Sequence, residues 1–353
     1  MNIWHNKLFR LLYLVSIVAG ILSCTKNVVG PDVPEQSQSS NQPLEFTIVV
    51  DDVKSNALIN DAEALQQYPI SILASASKEG STYHVFNNDR LDFSEGIWDY
   101  GTAKYWIHGA RYAFAAFAPY VQTGASDNGT GKILSNGTAT LSEGSPELKI
   151  TGYNTVACTS EVDARSEDLL VAHYVRDNTS SVDYSAVPLE FKHLLSCVSF
   201  SIRNTTNSDI TKVSNISLNG LQYLCDITLN TSSVTLEAKE GTGIINSSER
   251  NPGAGSTAFL PKGMSEDDYK PLFDCEVLTL LPQTLYNKQI ILNLTTHRAN
   301  DSNGTVYSYN LGNIDAVREW KPGIKYNYSI SITSTDILFQ VSEVPWIEHD
   351  VEL

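Results

Sequence analysis

The feature that most limits how this chain can fold is its punctuation. Apolar stretches of strand length recur about every ten residues, each closed by Gly, Asn, Asp, Ser or Pro. No segment carries a sustained apolar stripe of helical period. Leu44 to Val50, Ile70 to Ala76, Thr82 to Phe86, Lys104 to Ile107, Tyr112 to Tyr120 and Glu147 to Thr151 read as strands. Ser166 to Ala172 is a further short apolar run. Past a polar stretch at 176–186, strands are expected within Val187 to Ile202, at Val213 to Leu218, Ile227 to Leu229 and Val234 to Leu236. Others fall at Ala258 to Leu260, Val277 to Leu281, Ile290 to Thr295, Tyr307 to Leu311, Lys325 to Thr333 and Ile337 to Val341. One short helix is expected, within Asp61 to Tyr68. The expectation is an all-β protein with a sandwich in each half.

The chain has 353 residues and is 42% hydrophobic, which allows a core in each of two domains of about 100–200 residues. Placing the division in the polar stretch gives an N-terminal domain at 44–180 and a C-terminal one at 181–353. The charge balance, 24 Lys+Arg against 40 Asp+Glu, is −16. It argues against nucleic acid as a partner, since phosphate binding needs clustered cations. It equally argues against docking on an anionic membrane through a basic patch.

Residues 1–24 read as an export signal. Lys7 and Arg10 precede an apolar run from Leu11 to Leu22, too short to span a ~30 Å hydrocarbon core. The run ends in Ile21-Leu22-Ser23-Cys24, which resembles a bacterial lipoprotein box. That resemblance implies cleavage before Cys24 and acylation of Cys24, with palmitate among the chains. Several acyl chains hold a protein on a membrane where one does so only marginally. Residues 25–43, rich in Pro, Gln, Ser and Asn, read as a flexible tether. Losing Lys7 and Arg10 with the signal takes the formal charge to about −18.

Five Cys are present, and four remain once Cys24 is assigned to lipid: Cys158, Cys197, Cys225 and Cys275. Outside the cytoplasm they are candidate disulfide cysteines, with three connectivities open, or else buried free thiols. No CxxC occurs, which disfavours a zinc ribbon or redox motif.

Catalytic signatures are missing from the sequence: there is no HExxH, GxSxG or GxxxxGK[ST]. The seven His never pair at ligand spacing. His193, amid Phe191, Leu194 and Leu195, reads as a buried ring making a structural hydrogen bond. Two acidic clusters, Glu161/Asp163/Glu167/Asp168 and Glu266/Asp267/Asp268, lack EF-hand spacing and read as solvated carboxylates. The expectation is a non-enzyme with no catalytic residue, no metal and no cofactor.

A series of short segments then carries a family resemblance. Phe191-Lys-His193-Leu-Leu and the strand after it, Leu281-Pro-Gln, Trp320-Lys-Pro-Gly-Ile-Lys-Tyr-Asn-Tyr and Val344-Pro-Trp346 resemble motifs of the fimbrillin-like family. Tyr105-Trp106, Tyr112 to Pro119 and Ser166-Glu-Asp-Leu-Leu are similar to its N-terminal motifs, and all occur in family order. The resemblance implies two tandem transthyretin-like Greek-key β-sandwiches and a Bacteroidales-type pilin or pilus accessory lipoprotein serving adhesion. It implies a surface-exposed, lipid-anchored place on the outer membrane and in a fimbrium. It also implies removal of the first strand by a trypsin-like protease, after which a neighbouring pilin subunit donates a strand to the exposed groove. Lys54 is the only basic residue between Leu44 and Leu58 and is the candidate processing residue; the alternative is a solvated turn lysine. The adhesion ligand, on a host or bacterial surface, is left open.

A second reading is a glycan-binding surface lipoprotein of a nutrient-uptake system. It would need exposed aromatic platforms. Trp106, Trp320 and Trp346 fall in the family motifs and Trp4 in the signal, which leaves Trp98 as the platform candidate.

Overall fold

A computed structural model describes residues 39–50, 59, 61–123, 137–155, 168–334 and 336–345. Cys24, Lys54, Cys158 and Trp346 lie outside the described residues, as does most of the expected signal and tether. The regular structure among the described residues is nearly all strand, numbered β1 to β24 in chain order, with one short α-helix, α1 (Ala62–Leu65), and 3-10 turns at Glu266–Asp268 and Leu311–Asn313.

A seven-stranded sheet has the order β2 (Phe46–Val50), β11 (Val187–His193), β10 (Leu170–Asp177), β7 (Arg111–Ala118), β3 (Ile70–Lys78), β4 (Ser81–Ser94) and β5 (Ile97–Asp99). Every pairing in it is antiparallel except β2 with β11, which is parallel. Residues 178–186, where the sequence suggests a division, form the loop between β10 and β11 of this one sheet.

Both faces of the sheet are covered. From β7, Tyr112, Phe114 and Ala116 enter one core with Phe86 and Trp106, while Ala115 and Phe117 enter another with Leu148, Ile150 and Ile227. A strand buried on both sides has no polar face to keep, which is why 112–118 reads as unbroken apolar sequence. The second core is roofed by a four-stranded sheet ordered β15 (Val234–Ala238), β14 (Leu224–Asn230), β9 (Glu147–Asn154) and β8 (Thr138–Leu141). Two of its strands precede the seven-stranded sheet's last strand in sequence and two follow it. Their junction is the β9–β14 pairing, from Leu224 opposite Asn154 to Asn230 opposite Glu147.

The C-terminal part is a sandwich. One sheet holds β12 (Ser196–Asn204), β23 (Ile324–Ile332) and β24 (Ile337–Pro345), with β17 (Lys270–Pro271) and β18 (Leu278–Leu280) both on the outer edge of β12. The facing sheet is β16 (Gly243–Asn246), β13 (Lys212–Leu221), β20 (Ile291–His297) and β21 (Thr305–Asn310). Between them lie Val198, Phe200 and Ile202, then Tyr326, Tyr328, Ile330 and Ile332, against Val213, Leu218, Leu292 and Leu294. The period-two alternation in 324–332 is this inward face. A short pair, β19 (Gln283–Thr284) with β22 (Glu319–Trp320), leads into the turn at Lys321 to Gly323. Gly323 takes φ +67°, the left-handed value that a turn of this Pro-Gly kind needs. The chain passes from β11 to β12 through Leu194 and Leu195 alone, and both are buried.

Three expectations change. The last five residues of the expected tether form β1 (Ser39–Pro43), paired with β6 (Tyr105–Ile107). Backbone groups make that pairing, so a Ser/Asn/Gln composition does not forbid it. Ala258 to Leu260 contributes only an isolated bridge, Leu260 with Ile210, rather than a strand. Val121 to Gly144, rich in Gly, Ser, Asn and Thr and with no strand expected, contains β8 at Thr138–Leu141.

Candidate functional site

The site is the edge of the seven-stranded sheet. Among the described residues, strand β2 pairs along one side, with β11, from Phe46 opposite Val187 to Val50 opposite Phe191. Alternation sets its faces: Phe46 and Val50 are buried and Ile48 half-buried, while Thr47 and Val49 are exposed. Leu44 just upstream is buried too, its N–H donating to the Lys104 carbonyl (2.8 Å) and its carbonyl accepting from the Tyr100 hydroxyl (2.7 Å). The Phe46 ring sits edge-on to Phe86, Tyr100 and Phe114, with centroids 5.6, 5.9 and 6.1 Å away. Lys104 braces this wall. Its ammonium lies 4.2 Å from the Phe86 ring centroid, donates to the Val85 carbonyl at 2.7 Å and pairs with Asp89.

Under β2, strand β11 presents Val187, Leu189 and Phe191, all buried in the same core. Without β2, this edge would offer a row of unpaired backbone groups above an apolar trough. Chemically that is a strand acceptor: the ladder supplies binding energy and the trough selects residues at alternate positions.

Downstream of β2 the described chain resumes at Ile59, buried in the same core. Its N–H donates to Asp168 Oδ2 (3.1 Å), and Asp168 Oδ1 meets His193 Nδ1 at 2.9 Å. His193 therefore makes the structural contact expected of it. Asp168, placed by sequence among solvated carboxylates, is instead buried and hydrogen-bonded to His193, with side chains only 2% and 3% exposed for His193 and Asp168. A lone carboxylate in sequence gives no sign of a partner 25 residues away.

Cys197, Cys225 and Cys275 are free thiols, the first two buried. Burial pushes both buried thiols up to about 12. In the second acidic cluster, Asp268 accepts from the Ser265 N–H (2.9 Å) and hydroxyl (2.6 Å), which hold its carboxyl below the usual range. Among the described residues, no group of acidic, His and Cys side chains is placed to hold a metal ion. Trp98 is not an exposed platform: it is 9% exposed and packs on Phe93 with centroids 5.3 Å apart. Trp106 and Trp320 are buried. Among the described residues, no helix is long and apolar enough to cross a membrane.

Fold and edge together define an all-β protein whose first core-covering strand is a parallel edge strand over an apolar trough. The fimbrillin-like family model matches residues 56–346, and the chain belongs to that family. Among solved structures, a fimbrial protein from Bacteroides vulgatus ATCC 8482 is similar at 15% identity and TM-score 0.53, covering 87% of this chain and 100% of that one. A candidate cell adhesion protein from Bacteroides ovatus ATCC 8483 is similar at 15% identity and TM-score 0.52, covering 88% and 100%. At this identity the likeness is one of fold. No curated protein matches the chain.

Proposed function

We propose that this protein is a non-enzymatic, pilus-type adhesion subunit or accessory at the cell surface, assembled by strand donation. The observation that carries this reading is β2: one strand, paired on one side, covers an apolar trough and lies directly upstream of Lys54. Membership of the fimbrillin-like family supports the pilus-type part of the reading. The parallel β2–β11 ladder is slightly weaker per residue than an antiparallel one, which favours displacement by an antiparallel donor. In this reading Cys24 carries the lipid that holds the precursor on the outer membrane, and Lys54 is where the protease cuts. The partners are then other pilin subunits. In this reading the family's tandem sandwiches correspond to the seven-stranded sheet with the sheet that roofs it and to the C-terminal sandwich.

The test is the fate of the exported protein in cells. Cys24→Ala is expected to move it out of the membrane fraction, and Lys54→Gln to abolish trimming and SDS-resistant high-mass ladders. A trimmed protein that stays monomeric sinks the reading. Among the described residues, Trp98, Trp106 and Trp320 are all buried, so no described tryptophan offers the exposed platform the glycan-binding alternative would use.

A further inference from the structure

Strand exchange raises a question the edge itself does not answer: what stops exchange from continuing into the body of the subunit. The contacts at Ile59 bear on this. Both oxygens of one buried carboxylate are committed there, Oδ2 to the Ile59 N–H and Oδ1 to His193. His193 is the last residue of β11, two positions beyond Phe191, where the β2 pairing ends. Asp168 stands just ahead of β10, and the Leu194 N–H closes the same corner on the Leu169 carbonyl (2.7 Å). One end of the covering strand and the restart of the chain are thus fastened on neighbouring positions of β10 and β11. The fastenings differ in kind. β2 is held by a parallel ladder and inward side chains, all of which a second strand can reproduce. Ile59 is held by a hydrogen bond from its N–H to a buried side-chain oxygen of Asp168, which an incoming strand in the trough does not replace.

We propose that Asp168 and His193 form a chain lock that sets the limit of strand exchange. Everything up to Val50 is replaceable, and everything from Ile59 stays on the body after the chain is cut upstream. Both are positioning residues. His193 orients and pairs the carboxylate, and the carboxylate holds Ile59. The pairing also gives the Phe-x-His and Asp-Leu-Leu segments a shared purpose, since each supplies one partner. The proposal rests on the reading that β2 is exchangeable.

The test uses the full chain with a site-specific protease sequence inserted between residues 50 and 59, compared intact and nicked by hydrogen exchange. In the nicked wild type, residues 44–50 are expected to exchange at least tenfold faster than in the intact chain, while 59–65 stay within about twofold. Asp168→Asn keeps the side chain's volume but replaces one acceptor oxygen with an NH2 donor, so it cannot accept from both the Ile59 N–H and a His193 Nδ1–H. In the nicked Asp168→Asn chain, protection of 59–65 is expected to fall at least tenfold. In the intact variant the loss is smaller, because the segment is still tethered at both ends. Protection at 324–332, far along the chain, should be unchanged. A purely structural role would lower protection equally with and without the nick. His193→Gln provides a second route should Asp168→Asn fail to fold. The lock is overturned if 59–65 keeps wild-type protection in the nicked variants, or loses it in the nicked wild type. Failure of the exchange reading looks different: residues 44–50 would stay protected after the nick, and a labelled 44–50 peptide would not be taken up.

Discussion

The Phe46 and Phe114 rings meet edge to face, with centroids 6.1 Å apart and planes at 85°. One ring belongs to the covering strand and the other to the middle of the sheet, so this contact reports whether the trough is filled. Phe46→Ala removes a nearly buried ring and three edge-on partners. It is expected to cost about 3 kcal/mol in denaturant unfolding, at the low end for a buried Phe because the strand lies at an edge. A fall below about 1 kcal/mol would mean that Phe46 contributes little to holding β2.

In the C-terminal sandwich, the Trp320 indole N–H donates to the Tyr328 hydroxyl at 2.9 Å, with both side chains buried. Tyr328→Phe leaves that donor without its acceptor and is expected to cost roughly 1–3 kcal/mol. Trp320→Phe with Tyr328→Phe removes both polar groups. The hydrogen-bond part of the loss should then shrink, and a double-mutant cycle would measure it.

Cys197 and Cys225 give a pH dependence. Their thiols are pushed up to about 12 by burial, whereas in the unfolded chain they ionise near ~8.5. The folded state therefore favours the protonated form. Its contribution is fully present below the unfolded value and is lost as pH rises from about 9 towards 12. The slope is about 1.4 kcal/mol per pH unit for each thiol. Replacing both with Ala should flatten the alkaline limb of stability against pH; an unchanged limb would assign it to other groups. Alkylation at pH 8 should reach half-buried Cys275 before either of them.

Two glycines separate backbone strain from close approach. Gly144 has φ +78° with open space where a Cβ would sit, so Gly144→Ala is expected to cost only the left-handed penalty, about 1–2 kcal/mol. Gly220 has φ +82°, and an added Cβ would lie 1.9 Å from the Gln289 carbonyl oxygen. Gly220→Ala should cost several kcal/mol more or shift the register of β13 on β20. Equal melting temperatures for the two variants would contradict this.

Much of the fold is legible in the residues because each strand must pack somewhere. The Tyr326 to Ile332 alternation and the doubly buried run at 112–118 are written directly in side-chain polarity. What escapes is whatever backbone groups or distant partners decide. β1 pairs through its backbone despite its polar composition. The β9–β14 ladder joins segments about seventy residues apart, which no local pattern encodes. At the site, the covering strand and its upstream place beside Lys54 are visible in the sequence. The Asp168–His193 pair is visible only as two separate motifs, because burial of a carboxylate depends on the partner that makes burial affordable.

The β9–β14 ladder also fixes how the molecule meets a pull. Residues 138–154 and 224–238 are stitched into one sheet, and β11 runs into β12 through two buried leucines. No slack hinge lies between the first sheet and the second at that crossing. Drawing those two segments apart means breaking the antiparallel backbone pairs that join β9 to β14. The stitched sheet is a clasp between two stretches of chain that lie on either side of the seven-stranded sheet's last strand in sequence.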